Sequence, residues 1–320
     1  MSSHSGWQWG TRQHASAVRM AVLGIWLVIV ANTPYGYYAQ LPTDMIAGRG
    51  LGRLLLGDDA LRSFFFSYPV LTTLKWGAIL GCLLAILRPN RWRWLTPLVC
   101  VCILVLDLST RSINGYANHA QLVPLFVLLV FALFGGRCYP PIIGLRAGTD
   151  TLRPPDPSGR HPGGTIESGY APVVWLASLM LIIPYTYIAL NRLLEGGMEL
   201  FLGDALLDSI ELNNRLYAAY GFTVFLGWIQ IPWLAPFLKV GFLVTTLFEL
   251  SSAGVLFSQR FRLIWLAVIG SFHFITLVAM NIFFWENLVL SGVIFGWGIW
   301  NMDRSPSLIT RSSPAMVALS

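Results

Sequence analysis

Long apolar runs alternate with short polar or charged breaks along this chain. The runs cover residues 21–30, 64–87, 94–108, 120–134, 170–194, 216–234, 236–257 and 263–300. A helix needs about 20 apolar residues to cross the hydrocarbon core of a bilayer. The pattern therefore predicts an all-α fold, a polytopic transmembrane helical bundle. No small-residue cleavage site follows the first run, so we expect it to be a retained helix.

Two of these runs decide how many spans are predicted. Residues 263–300 are too many for one span, and they divide naturally near Trp285-Glu286-Asn287 into two helices. Residues 216–234 contain Gly221, Gly227 and Pro232, which suit a clean span poorly, so they are predicted to form an interfacial or re-entrant helix. The expectation is about eight spans plus this one piece. The alternative is a ninth crossing at 216–234.

The predicted domain organisation follows from one change in amino-acid composition. Residues 137–169 are rich in proline, glycine and arginine, which is typical of a flexible loop. Residues 1–320 are therefore predicted to form a single transmembrane domain. It has an N-terminal half at 18–136, a cytoplasmic loop at 137–169, a C-terminal half at 170–300 and a short cytoplasmic tail at 301–320.

Composition supports a membrane location. The chain is 55% hydrophobic and only 11% charged, whereas soluble domains carry roughly 25% charged residues. The net charge is +6, but no arginine-rich block is interleaved with aromatic residues, so we expect no nucleic-acid partner. Membrane lipids are the expected partners, with a secreted peptide or another membrane protein as further candidates.

The distribution of arginine predicts the orientation. Five clusters of arginine lie between or beside the apolar runs, at residues 12–19, 88–93, 137–160, 260–262 and 304–311. Positively charged loops stay on the cytoplasmic side, so both termini are predicted to be cytoplasmic in a multi-pass protein of a bacterial inner membrane. The acidic segment 195–211 and the turn at Trp285-Glu286-Asn287 then lie outside.

Polar residues within the apolar runs are candidates for function, because burying them in lipid costs at least a few kcal/mol each. Glu249 and His273 fall near the middle of their runs, where they form either interhelical hydrogen bonds or a site of chemistry. Asp107 and Arg111 are spaced as a local i,i+4 pair. The full set of candidates is Lys75, Asp107, Arg111, His119, Arg192, Glu249, His273, Asn281 and Glu286.

The sequence gives little support to a metal site or a nucleotide-binding site. His119 and His273 are candidate axial haem ligands, but the predicted topology puts them at different depths, which disfavours haem. Cys100 and Cys102 are spaced onto different sides of a helix, so we expect no zinc site there. The chain has no nucleotide-binding or hydrolase motif. No metal and no cofactor are predicted, with a quinone-like lipid as the one candidate left open.

Three segments of the second half resemble a known family. Residues 185–197 read Tyr-Thr-Tyr-Ile-Ala-Leu-Asn-Arg-Leu-Leu-Glu-Gly-Gly, and Leu-Gly-Asp-Ala-Leu-Leu follows at 202–207. Residues 247–257 read Leu-Phe-Glu-Leu-Ser-Ser-Ala-Gly-Val-Leu-Phe, and residues 271–284 begin Ser-Phe-His-Phe-Ile-Thr. In this order they are similar to the HTTM (horizontally transferred transmembrane domain) family. That family includes vitamin K-dependent γ-carboxylase and the SdpB-type bacterial proteins that accompany secreted antimicrobial peptides.

The resemblance implies an HTTM-like bacterial membrane protein, but not the carboxylase reaction. Arg192 stands where the carboxylase has its basic lysine, and arginine keeps its proton and cannot serve as a general base. The expected function is therefore to bind or process a secreted peptide or lipid in an intramembrane polar pocket. The alternatives are an enzyme that acts on a quinone-like cofactor, a transporter and a structural partner subunit.

The site residues expected from the polar positions and from this resemblance fall into two groups. The candidates for chemistry are His273, Glu249 and Arg192, and whether the chain is an enzyme stays open. The residues expected to line the pocket are Tyr185, Asn191, Asn281, Asp107, Arg111 and His119.

Overall fold

The structure is a computed structural model. It describes residues 11–42, 46, 58–88, 94–114, 119–135, 170–216 and 231–301, without the side chains of 114, 119–120, 216 and 298–301. The predicted loop at 137–169, the tail at 302–320 and most of the predicted re-entrant piece (217–230) lie outside the described residues. The described residues contain helices and no strand, which confirms the all-α prediction.

The first half contributes α1 (Arg12–Asn32), α2 (Tyr35–Tyr38), α3 (Asp59–Phe65), α4 (Tyr68–Leu87), α5 (Leu95–Asn114) and α6 (His119–Phe134). The run predicted at 64–87 is divided between two helices. Asp58 caps α3 by accepting hydrogen bonds from the backbone N–H groups of Ala60 and Leu61. Pro69 lies in the first turn of α4, where its missing N–H costs nothing, so a new helix begins there.

The second half contains α7 (Tyr170–Asn191), a π-helical turn (Arg192–Gly196), α8 (Glu199–Leu202), α9 (Ala205–Leu216), α10 (Leu234–Leu250), a 3₁₀ turn (Ser252–Leu256), α11 (Gln259–Met280) and α12 (Trp285–Asn301). The long run divides as predicted, but at residues 281–284. Trp285-Glu286-Asn287 form the first turn of α12 rather than the break itself, because left-handed Asn281 (φ 58°) ends α11 earlier.

Among the residues that the structure describes, five helices are long and apolar enough to cross a membrane: Arg12–Asn32, Tyr68–Leu87, Leu95–Ile113, Tyr170–Gly196 and Gln259–Met280. Large apolar side chains on α4, including Trp76, Leu80 and Leu87, are exposed rather than packed inside the bundle. An exposed apolar surface of this kind suits lipid better than water. The chain is thus an all-helical protein with several membrane-length helices.

Helix α1 lies at the centre of the bundle and packs against α4, α6, α7 and α12. Its fully buried residues include Val22, Leu23 and Trp26. Helices α4 and α5 approach closely at Gly81, where an added Cβ would lie only 2.4 Å from a methyl group of Val99. The glycine is therefore required by the packing of these two helices.

Contacts between helix ends fix the relative directions of several helices. The guanidinium of Arg19 donates to Thr96 Oγ1 at 2.8 Å, so α1 and α5 begin at the same end of the bundle. The ring of His14 stacks on Trp297 with centroids 5.6 Å apart, so α12 ends where α1 begins. At the opposite end, Lys75 Nζ donates to the carbonyl of Thr33 at 3.0 Å. The long helices α1 and α4 therefore run antiparallel.

Candidate functional site

An ion pair joins Arg192 to Glu249 inside the bundle. Arg192 is the first residue of the π-helical turn that follows α7, and Glu249 is the next-to-last residue of α10. Arg192 Nη1 donates to Glu249 Oε2. The carboxylate side chain is 2% exposed and the guanidinium side chain is 22% exposed. The two apolar runs that carry these residues are thus held together by opposite charges 57 residues apart.

Two aromatic rings hold the guanidinium of Arg192 from the other side. Its Cζ lies 4.8 Å from the ring centroid of Phe242 and 5.5 Å from that of Phe272. A cation this close to a ring face is attracted by the ring's quadrupole. The side chain is therefore fixed by Glu249 and by rings from α10 and α11.

Tyr185 and His273 form a second polar pair close to the first. The phenol oxygen and His273 Nε2 are 2.8 Å apart, and both side chains are buried. Either the phenol donates and Nδ1 carries the ring proton, or Nε2 donates to the phenol oxygen. No described residue makes a hydrogen bond to His273 Nδ1. The imidazole thus keeps one polar atom available for a further partner.

These two pairs line one cavity of about 380 Å³, which lies where α7 ends and α12 begins. The lining residues are Tyr185, Tyr187, Ile188, Asn191, Arg192, Glu195, Gly196, Leu200, Glu249, Phe272, His273, Phe284 and Asn287. All three candidates for chemistry, and two of the six expected lining residues, therefore meet at one place. These residues come from α7, the π-helical turn, α10 and α11, and α12 adds Asn287 to the lining.

The other expected lining residues lie elsewhere or are not described. Asp107 and Arg111 form the i,i+4 ion pair that their spacing predicts, at 2.6 Å within α5. Asn281 is buried in the turn after α11 and is not among the residues that line the cavity. His119 begins α6, but its side chain lies outside the described part of the chain.

Sequence analysis did not predict four of the residues that line the cavity: Asn287, Glu195, Tyr187 and Phe284. The sequence placed residues 285–287 in an external turn, whereas Glu286 and Asn287 are buried in the first turn of α12. No described residue bonds to Asn287 Oδ1. An uncharged amide at the end of an apolar run carries little signal, because its burial depends on which neighbouring helices cover it.

Comparisons with protein-family models, with curated proteins and with solved structures find no match to this chain. The resemblance to the HTTM family therefore stays a prediction that depends on the quoted segments. In the described part of the chain, no three histidine, cysteine, aspartate or glutamate residues cluster as metal ligands would.

Proposed function

We propose that this chain is an HTTM-like integral membrane protein that binds or processes a secreted peptide or a lipid in the cavity between α7, α10, α11 and α12. One observation carries the proposal: the Arg192–Glu249 and Tyr185–His273 pairs, which come from distant parts of the chain, converge on a single cavity. Side chains that served only to join helices would be expected to pack closely and leave no such space.

The size and the lining of the cavity support a ligand. Ligand pockets commonly measure about 300–1,000 Å³, and they are mostly apolar with a few placed polar groups. Here Ile188, Leu200 and aromatic rings supply the apolar part. Asn287 Oδ1 and His273 Nδ1 supply polar atoms that no described residue satisfies. Buried polar atoms without partners are costly, so a bound molecule that satisfies them would be stabilised there.

The same proposal includes eight spans with both termini in the cytoplasm of a bacterial cell. Besides the five membrane-length helices, α6 has 16 residues and α10 and α12 have 17 each. At about 1.5 Å per residue they are short but close to the thickness of the hydrocarbon core. The end that carries Arg12, Arg19 and Arg262 is then cytoplasmic by the positive-inside rule. The cavity belongs to the opposite, outer half.

The test is to identify what the purified protein retains. We expect mass spectrometry of organic and aqueous extracts to find a lipid or peptide in stoichiometric amount with the wild type. Asn287→Leu keeps the side-chain volume but removes the amide, and it should lower that amount several-fold. Asn213→Leu, on α9 outside the lining, serves as the matched control. Equal retention by wild type and Asn287→Leu would contradict the proposal.

A second candidate function is an enzyme that acts on a quinone-like lipid. The Tyr185–His273 pair favours it, because a phenol and an imidazole can exchange a proton with a carbonyl or hydroxyl of such a ring. Quinone in the organic extract, together with redox turnover that falls on His273→Ala, would support this candidate. Extracts without quinone and turnover insensitive to His273→Ala would eliminate it.

A further inference from the structure

A second cavity of about 350 Å³ lies between α9, α10 and α11. Its lining is almost entirely apolar, with Leu206 and Ile210 from α9, Leu238 from α10 and Ile275 from α11. The hydroxyl of Thr245 in this lining donates to the carbonyl of Gly241 in its own helix. The cavity therefore offers a surface suited to a hydrocarbon chain.

The apolar cavity adjoins the polar one through two aromatic rings. Phe272 lines both cavities. Phe242 lines the apolar cavity, and its ring also lies beneath the guanidinium of Arg192. The two cavities thus share one lining residue, Phe272, and Phe242 in the lining of the apolar cavity contacts Arg192 in the lining of the polar one. One molecule with a polar and an apolar part fits this arrangement.

The charge of the polar cavity restricts the polar part. Its lining has two carboxylates, Glu195 and Glu249, and one arginine. Glu249 forms an ion pair with Arg192, whereas no described lysine or arginine forms an ion pair with Glu195. The C-terminal end of α7, which adjoins the cavity, adds partial negative charge. The balance favours a cation over an anion.

The hydrogen-bonding groups and the aromatic rings of the polar cavity also favour a cation. Asn287 is 8% exposed, and its Oδ1 is an acceptor that lacks a described donor. An ammonium group has three donors and accepts nothing, so it suits an amide oxygen together with a carboxylate. The rings of Phe272, Phe284 and Tyr187 in the same lining add faces that attract a cation.

We infer that the ligand is a single amphiphile with a cationic, amine-bearing head group and one long apolar chain. The head group occupies the polar cavity between Glu195 and Asn287, and the chain passes Phe272 into the apolar cavity. This inference rests on the proposed function and narrows its ligand to one chemical class. A long-chain amine and a basic peptide with a lipid chain share this chemistry.

The experiment compares three ligands that differ only in the head group: hexadecylamine, hexadecanol and palmitate. Binding to the full chain is measured in phosphatidylcholine nanodiscs, with binding to empty nanodiscs subtracted. We expect hexadecylamine to bind at least about tenfold more tightly than the other two, because only it pairs with Glu195. Butylamine should bind about a hundredfold more weakly than hexadecylamine, because it lacks the chain.

Two pairs of variants separate the head group from the chain. Glu195→Gln should weaken hexadecylamine about tenfold and leave hexadecanol unchanged, and Glu199→Gln, which lies outside the lining, is the matched control. Gly241→Leu places a side chain in the apolar cavity, where a Cβ meets nothing within 4 Å. It should weaken every long-chain ligand about tenfold but not butylamine. Gly77→Leu on α4 is its control, since a Cβ there is also free of contacts.

The outcomes distinguish this inference from the proposed function. Tighter binding of palmitate or hexadecanol, or an unchanged affinity for hexadecylamine in Glu195→Gln, overturns the cationic head group. If hexadecylamine binds Gly241→Leu and Ala267→Leu, which alter opposite sides of the apolar cavity, as tightly as the wild type, then the apolar cavity does not hold the chain of the ligand. If one of these overturning results is obtained while the protein still retains a natural molecule that Asn287→Leu releases, the inference fails and the proposed function stands.

Discussion

Glu249 is more deeply buried than Arg192, its partner in the ion pair. Substituting Arg192 therefore leaves a buried charge without a partner, whereas substituting Glu249 leaves a partly exposed one. Removing one partner of a buried pair costs about 3–5 kcal/mol, because the remaining charge is uncompensated. Arg192 remains partly exposed and rests on two rings, so it tolerates the loss of its partner better. The pair therefore predicts unequal effects of two single substitutions.

We expect Arg192→Met to lower the free energy of unfolding by about 3–5 kcal/mol and Glu249→Gln to lower it by clearly less. The double variant Arg192→Met/Glu249→Leu should recover most of the loss, since no charge stays buried. Unfolding followed by circular dichroism in one detergent measures all three. Equal losses in the two single variants would show that the difference in burial does not control the energy.

The hydrogen bond between Tyr185 and His273 predicts a smaller effect. Tyr185→Phe should destabilise the protein by about 1–3 kcal/mol, because it leaves a buried imidazole nitrogen without its partner. Tyr187→Phe, two residues further along the same helix at a position 59% exposed, should change stability by less than about 0.5 kcal/mol. A loss of the same size in both variants would contradict the role of the pair. Thermal unfolding of the ligand-free protein is the measurement.

Tyr35 makes stability depend on alkaline pH. It lies in the short helix α2, outside the membrane-length helices, and burial raises the pKa of its phenol to about 12. The folded state therefore holds the proton more tightly than the unfolded state, whose tyrosines titrate near about 10. The resulting stabilisation is complete below pH of about 10 and is lost as pH rises towards 12. Melting temperatures at pH 9, 10 and 11 should fall less steeply for Tyr35→Phe than for the wild type.

At the scale of helices, the close approach of α4 and α5 gives a matched pair of glycines. Gly81→Ala should destabilise the protein by about 1–3 kcal/mol, because the new methyl group meets Val99, a stiff β-branched side chain. Gly77→Ala, one turn earlier in the same helix, meets nothing within 4 Å and should be neutral or stabilising. Adding Val99→Ala to Gly81→Ala should restore part of the loss. Destabilisation by Gly77→Ala would contradict this account.

The boundaries of these helices show what hydrophobic pattern predicts and what it leaves out. Apolar periodicity placed α6 and the beginning of α7 within about one residue of their positions. It did not divide residues 64–87 at Ser67, since Pro69 begins a new helix there without interrupting the apolar run. It also placed Arg262 in a loop, whereas this residue is buried in the first turn of α11 and donates to the carbonyl of Val255 at 3.0 Å.

At the scale of the whole molecule, the alternating directions of the helices lead to a prediction about orientation. The ends of α1, α5 and α12 meet in the order that successive crossings require. A cytoplasmic reporter fused after residue 320 should be active, and a periplasmic reporter at the same position should not. The same pair of reporters inserted at residue 116, between α5 and α6, should give the opposite result. Identical signals at both positions would contradict an odd number of crossings between these points.

The candidate site could be predicted only in part, because it is assembled from both local and distant features. Arg192, Glu249 and His273 stand out in the sequence as charged or titratable residues in apolar runs. Asn287 does not, because its burial depends on how α12 docks against α7 and α11. Asp107 and Arg111 also stood out, but their spacing predicted the ion pair that they form within α5. Sequence thus identifies costly residues and predicts local pairs, but not which residues of distant helices meet.

The π-helical turn at Arg192–Gly196 has a consequence for how related chains would align. Such a turn accommodates one residue more than an α-helical path between the same points. Deleting one residue from it would let α7 continue regularly, and the residues that follow the deletion within this helix would rotate by about 100° around its axis. Glu195 would then leave the cavity while the bundle persists. A single-residue gap at 192–196 should therefore separate homologues that share this site from those that share only the fold.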